Sequence, residues 1–174
     1  LGDVYKRQEY GGDFNGRTRL LLEVVEAVRA AIPEGMPLLV RLSATDWVEP
    51  EGWCAEDSER LAPLLRDAGV DLIDVSTGGN VRADIPVGPG YQVDFARRVR
   101  EASGLPTAAV GMILSAEQAQ QVLDDGAADA VLIGRPALRN AEWALDALEK
   151  LGVPEAELPW PESYFRGWAG APRG

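Results

Sequence analysis

Apolar and polar positions alternate between two periods along this chain. Leu20, Leu21, Val24, Val25 and Val28 recur at spacings of three and four, predicting a helix from near Asn15 to just before Pro33. Leu38 to Ser43 is then apolar except for Arg41, the pattern of a buried strand. Leu61, Leu64, Leu65 and Ala68 form one side of a helix over about Ala55 to Ala68, with Gly69 closing it. A strand over Asp71–Ser76 precedes Thr77-Gly78-Gly79. A loop rich in Gly and Pro follows from Asn80 to Gly90, too long for a bare connection. Val93, Ala96 and Val99 mark a helix from Gln92 to Ala102, and Pro106–Gly111 reads as the third strand. Ser115 with Gln118 three residues on predicts a capped helix that ends at Gly126. Asp129–Gly134 is the fourth strand, and Ala141–Leu151 the last helix.

Strand, loop and helix thus repeat four times. Such alternation predicts an α/β fold, with a parallel sheet and outer helices. A doubly wound sheet and a (β/α)8 barrel both satisfy it, and both bind ligands at the carboxyl ends of the strands. No Gly-x-Gly-x-x-Gly follows the first strand, which disfavours a dinucleotide fold. The ends in question are Arg41-Leu42-Ser43, Ser76-Thr77-Gly78-Gly79, Gly111-Met112 and Gly134-Arg135. At the last, Gly134 admits close approach to the backbone, Arg135 offers a planar fork suited to phosphate, and Pro136 can open a short helix. A strand end with a surface arginine is the plainer reading of that segment alone.

Composition narrows the chemistry. There are 17 Lys and Arg against 28 Asp and Glu, a net charge of −11, which argues against nucleic acid and anionic membrane surfaces as partners. No apolar run has the length of a membrane helix and no signal-peptide pattern opens the chain, so a cytoplasmic location is expected. The single cysteine, Cys54, cannot form an internal disulfide and reads as structural at a helix start. The chain has no histidine, which removes Ser-His-Asp and Cys-His catalysis and His-ligated metals, and no metal site is expected. Residues 1–8 match nothing that follows and read as an unreliable or foreign segment. Residues 152–174 form a separate tail that carries four prolines together with Trp160, Tyr164, Phe165 and Trp168.

Taken in order, Tyr10-Gly11-Gly12, Val40-Arg41-Leu42-Ser43, the Asp71-to-Gly78 strand end, Ala109-Val110-Gly111-Met112-Ile113 and Ile133-Gly134-Arg135 resemble the second half of the old yellow enzyme family. These are the FMN-dependent ene reductases, and the likeness is to their bacterial thermophilic-type branch. It runs from about Glu9 to Trp168. The resemblance implies the C-terminal half of a (β/α)8 TIM barrel, strands five to eight, over residues 9–151. It also implies FMN as cofactor, NADPH or NADH as reductant, and reduction of the activated C=C bond of small enone-type substrates.

On this resemblance Arg41 sits by the flavin pyrimidine edge, against the alternative of a buried ion pair with a helix carboxylate. Gly111, Met112, Gly134 and Arg135 hold the FMN phosphate. Ser76 and Gly78 either line the same rim or form a plain strand-end turn. Arg166, before Gly167-Trp168, reaches into a neighbouring subunit's active site, which implies a homo-oligomer. The family's first four strands and its catalytic residues have no counterpart in the chain. A truncated enzyme is therefore expected, with two alternatives: a half barrel that binds only FMN phosphate or a partner subunit, and another FMN barrel such as a dienoyl-CoA reductase or a dihydroorotate-type dehydrogenase. The dienoyl-CoA branch needs a cysteine cluster, and one cysteine does not supply it.

Overall fold

In a computed structural model of the chain, residues 9–161 and Ser163 are described. Four strands, β1 (Leu39–Ser43), β2 (Leu72–Ser76), β3 (Thr107–Ala109) and β4 (Ala130–Val131), pair in that consecutive order, all in parallel. Between and after them run α1 (Phe14–Ala31), α2 (Ala55–Asp67), α3 (Val93–Ser103), α4 (Ala116–Asp124), α5 (Arg135–Arg139) and α6 (Trp143–Lys150). A 3-10 turn at Glu155–Glu157 closes the described fold.

The helix ends follow from local chemistry. Asp13 caps α1, its Oδ1 accepting from the Gly16 N–H at 2.9 Å. Ser115 caps α4 by accepting from Gln118 N–H at 3.1 Å, as the sequence pattern predicts. The return bond of the box goes one residue further out, since Gln118 Oε1 accepts from Leu114 N–H at 2.8 Å. Cys54 is the N-cap of α2, with the Asp57 carboxylate accepting from its N–H at 3.5 Å.

Alternation along the strands decides which face is covered. Val40, Leu42, Ile73 and Val75 point into the helical layer and are 0–8% exposed. They meet Leu61, Ala62 and Leu65 of α2 and Ala96 and Val99 of α3, the centre of the core. Each such buried Leu, Ile or Val contributes about 1.5–3 kcal/mol. The opposite face carries Leu39, Arg41 and Ser43 of β1 and Leu72, Asp74 and Ser76 of β2. Leu39 there is 56% exposed.

Two expectations are corrected by this arrangement. The all-apolar runs suggested strands covered on both faces, whereas the helices cover one face and leave the other open. Arg41 therefore is not buried: its side chain is 60% exposed, and its ion-pair partner is Asp74 of the neighbouring strand rather than a helix carboxylate. Strands β3 and β4 are also shorter than the apolar runs, because their last residues leave the ladder to form the rim. The α1 stripe is wider than its contact, with Val25 buried but Leu20 and Val24 about half exposed.

Four consecutive parallel strands with helices on one side are half the wall of a (β/α)8 barrel. Among the described residues, β1 and β4 each have one unpaired edge. The chain thus adopts the parallel α/β arrangement that its pattern predicts and the half barrel that the resemblance implies.

Candidate functional site

At the amino end of the sheet, carboxylates clamp the backbone. Asp71 Oδ2 accepts from Leu38 N–H at 2.7 Å and from Arg29 at 2.7 Å. One barrel unit pair later the device recurs: Asp129 Oδ2 accepts from Thr107 N–H at 2.9 Å and from Arg100 Nε at 2.9 Å. These bonds hold both carboxyls below the usual carboxylate range, through the Leu38 N–H first for Asp71 and the Arg100 side chain first for Asp129.

The carboxyl end is built differently, from glycines and irregular backbone. Gly111 leaves β3 with φ +125, and Met112 follows at φ +50, a left-handed conformation uncommon outside glycine. Gly134 leaves β4 at φ −101 and caps α5. These two turns face each other across a hollow of about 280 Å³, lined by Gly111, Met112, Leu132, Gly134, Arg135 and Pro136 among others. A Cβ placed on Gly134 would meet nothing within 4 Å, so the space beside it is free. Among the described residues no acceptor meets the N–H groups of Met112 and Gly134. Arg135 adds a guanidinium to the rim, and α5 begins there, as the Pro136 reading expects.

Four of the seven expected cofactor residues that fall in the described region therefore come together: Gly111, Met112, Gly134 and Arg135. Arg41 and Ser76 form a second group on the open sheet face. Arg41 Nε donates to Ser76 Oγ at 3.4 Å, and its NH1 lies 3.3 Å from Asp74 Oδ2. Burial pushes the Asp74 carboxyl up, against the lowering effect of Arg41. Arg41 also lines a hollow of about 410 Å³ beside the edge strand, with Arg17, Trp53 and Asn80. Strands β2 and β3 lie between Arg41 on β1 and Arg135 after β4. Three strand spacings of about 4.8 Å separate β1 from β4, about 14 Å across one sheet.

Gly78 lies elsewhere again. Its N–H donates to Thr45 O at 2.8 Å, and an added Cβ would come within 2.8 Å of Ile85 Cδ1, so its lack of a side chain serves the packing of that turn. Arg166 lies outside the described residues.

Sequence reasoning missed Gln92. It is 4% exposed, and its amide joins two strand ends. Oε1 accepts from Thr77 N–H at 2.6 Å and Thr77 Oγ1 at 2.7 Å, while Nε2 donates to Val110 O at 3.1 Å. The available signal was a polar residue at a helix start with no cap to make, since α3 has no side-chain cap bond from it.

The carboxyl ends of parallel strands are where a (β/α)8 fold places its ligand site, and here that rim carries two glycine turns and the Arg135 guanidinium, which has no ion-pair partner among the described residues. The sequence profile of the NADH:flavin oxidoreductase / NADH oxidase family matches residues 5–152, and the chain belongs to that family. It is 45% identical over 163 residues to an NADPH dehydrogenase of Geobacillus thermodenitrificans, covering 94% of this chain and 46% of that protein. An NADPH dehydrogenase of Bacillus subtilis is 42% identical over 164 residues, covering 94% and 47%. The chain thus spans about half the length of the curated relatives it matches. Morphinone reductase superposes with a TM-score of 0.59 at 27% identity, over 84% of this chain and 37% of that one. Histamine dehydrogenase from Rhizobium sp. 4-9 shares the fold with a TM-score of 0.68 at 22% identity, over 83% of this chain and 21% of that one. Membership implies FMN as the family's cofactor. No helix among the described residues is long and apolar enough to cross a membrane.

Proposed function

We propose that this chain supplies the phosphate-binding half of an FMN site in an NAD(P)H-dependent oxidoreductase that reduces the activated C=C bond of α,β-unsaturated carbonyl compounds. The observation that carries the proposal is the convergence of Gly111-Met112 and Gly134-Arg135, from two separate strand ends, on one hollow with open space beside Gly134. Those residues fit the group. A phosphate beside Gly134 would accept from the main-chain N–H of Met112 and Gly134 and pair with the Arg135 fork. Arg41 would place a cation on the inner sheet face, where negative charge on a reduced flavin is stabilised. Bound flavin supplies hydride transfer between the nicotinamide and the substrate. The substrate class rests on the likeness to old yellow enzyme alone. Arg166 is proposed, on the same likeness, to contact a neighbouring subunit.

A second reading is favoured by the chain's span of about half its relatives: FMN binding without turnover. One experiment separates the two. FMN is titrated into the chain by flavin fluorescence, and the complex is mixed with NADPH under nitrogen. Binding followed by bleaching of the flavin absorbance supports the oxidoreductase reading, and binding without bleaching supports the second. Absence of FMN binding overturns both.

A further inference from the structure

We infer that Gln92 is a positioning residue, a clamp that sets the phosphate cradle by locking the carboxyl ends of β2 and β3 together; the inference rests on the FMN reading above. Three features carry it. The amide is buried, and each of its two ends is committed, Oε1 to Thr77 after β2 and Nε2 to Val110 at the end of β3. The neighbouring turn grips the next peptide, with Gly90 N–H donating to Gly111 O at 2.9 Å. The Gln92 side chain also fills the place where a Gly111 side chain would be: an added Cβ would lie 2.8 Å from Nε2 and 3.1 Å from Cβ and Cγ. Gly111 at φ +125 takes a conformation that glycine alone adopts readily, while Met112 at φ +50 holds one costly for a residue with a side chain and needs support from its surroundings. The clamp supplies it, and so fixes where the Met112 N–H is presented. Gln92 itself does not donate to the phosphate, since its bonds are made within the protein.

The consequence is specific to the phosphate. Loosening the clamp should weaken FMN more than riboflavin, which has the same ring and no phosphate. The test compares Kd for FMN and for riboflavin, by fluorescence titration, in the wild type, Gln92→Met and Gln92→Glu. Gln92→Met removes all three bonds at similar volume. Gln92→Glu keeps the acceptor for Thr77, removes the donor to Val110 O and adds negative charge, so it reports charge as well as the clamp; Thr77→Val, added to the series, removes one clamp bond without changing charge and remains informative if the methionine variant does not fold. The expected result is a fall of about tenfold in the preference for FMN over riboflavin, with riboflavin affinity changed less than about twofold. A general loss of structure would weaken both ligands together and overturn the inference. So would an unchanged preference in the folded variants. A wild type without preference for FMN would instead overturn the site reading, and the clamp with it.

Discussion

Gly134→Ala separates folding from ligand binding more cleanly than any other change at this site. Gly134 has φ −101 and ψ −83, outside the left-handed region and just below the α region, and an added Cβ meets no atom within 4 Å. No neighbouring atom resists the methyl group, so any cost to folding is confined to the backbone of this one residue. Restriction of the unfolded chain by Ala offsets part of that cost, so the net change in stability should stay within about 1 kcal/mol. The same methyl would occupy the space in which the phosphate is proposed to lie. Displacing the phosphate from one charge-assisted main-chain bond would lose about 1.5–3 kcal/mol. That corresponds to an FMN Kd raised about ten- to hundredfold. The assay pairs urea denaturation with FMN titration on the same preparations. The expected outcome is a urea midpoint that changes little together with the loss of affinity. FMN binding as tight as in the wild type would refute the placement of phosphate at Gly134, whatever the stability result.

Two further outcomes follow from the titratable groups. Asp71 and Asp129 have folded pKa values held below their unfolded value of about 3.9, so their stabilisation is complete above that pH and is lost as pH falls through the folded values. Urea midpoints should therefore drop below about pH 4 in the wild type, and Asp71→Asn with Asp129→Asn should flatten that dependence; an equally steep drop in the double variant would show that other carboxylates carry it. Burial pushes the Cys54 thiol up, ahead of a partly compensating bond with the Asp57 backbone, so less of it is thiolate near neutral pH. Its reaction with a disulfide reagent at pH 7.5 should be slower than that of glutathione, and an equal or faster rate would refute the reading of Cys54 as a half-buried structural cap.

Most of the helical layer was legible in the sequence because its signals are local. Spacings of three and four place α1, α2 and α3 within two residues of their observed ends, and Ser115 marks its own helix start. The sheet was legible in direction from the pattern and in order only through the family resemblance, but not in its exposure. Leu38–Ser43 reads the same whether one face or two are covered, and only the tertiary arrangement shows Arg41 on the open side. Of the rim, Gly111 and Gly134 were visible as glycines that end apolar runs. Their neighbours were less so. Met112 carries a left-handed φ that methionine does not advertise, and Gln92 acts through partners 15 and 18 residues away. Gly78 shows the converse, a glycine in the expected place whose absent side chain serves Ile85 rather than a ligand.

The two ends of the sheet divide the work of the fold. At the amino end, acid–arginine–amide clamps tie β1 to β2 and β3 to β4, with Asp71 and Asp129 each accepting the N–H that opens or precedes the strand before its own. The same chemistry at equivalent places fits its part in stability, since a phosphate or flavin would be repelled by carboxylates there. At the carboxyl end the bonds that hold β2 to β3 pass through a neutral amide. Gln92 can accept from Thr77 and donate to Val110 without adding charge to the rim. A carboxylate in its place would carry negative charge beneath an anion site, and an apolar side chain would leave Thr77 and Val110 without partners. Neutrality at that position is what an anion-binding rim requires of its support. This is why Gln92→Glu, which keeps size and one set of bonds, is expected to damage phosphate binding rather than preserve it.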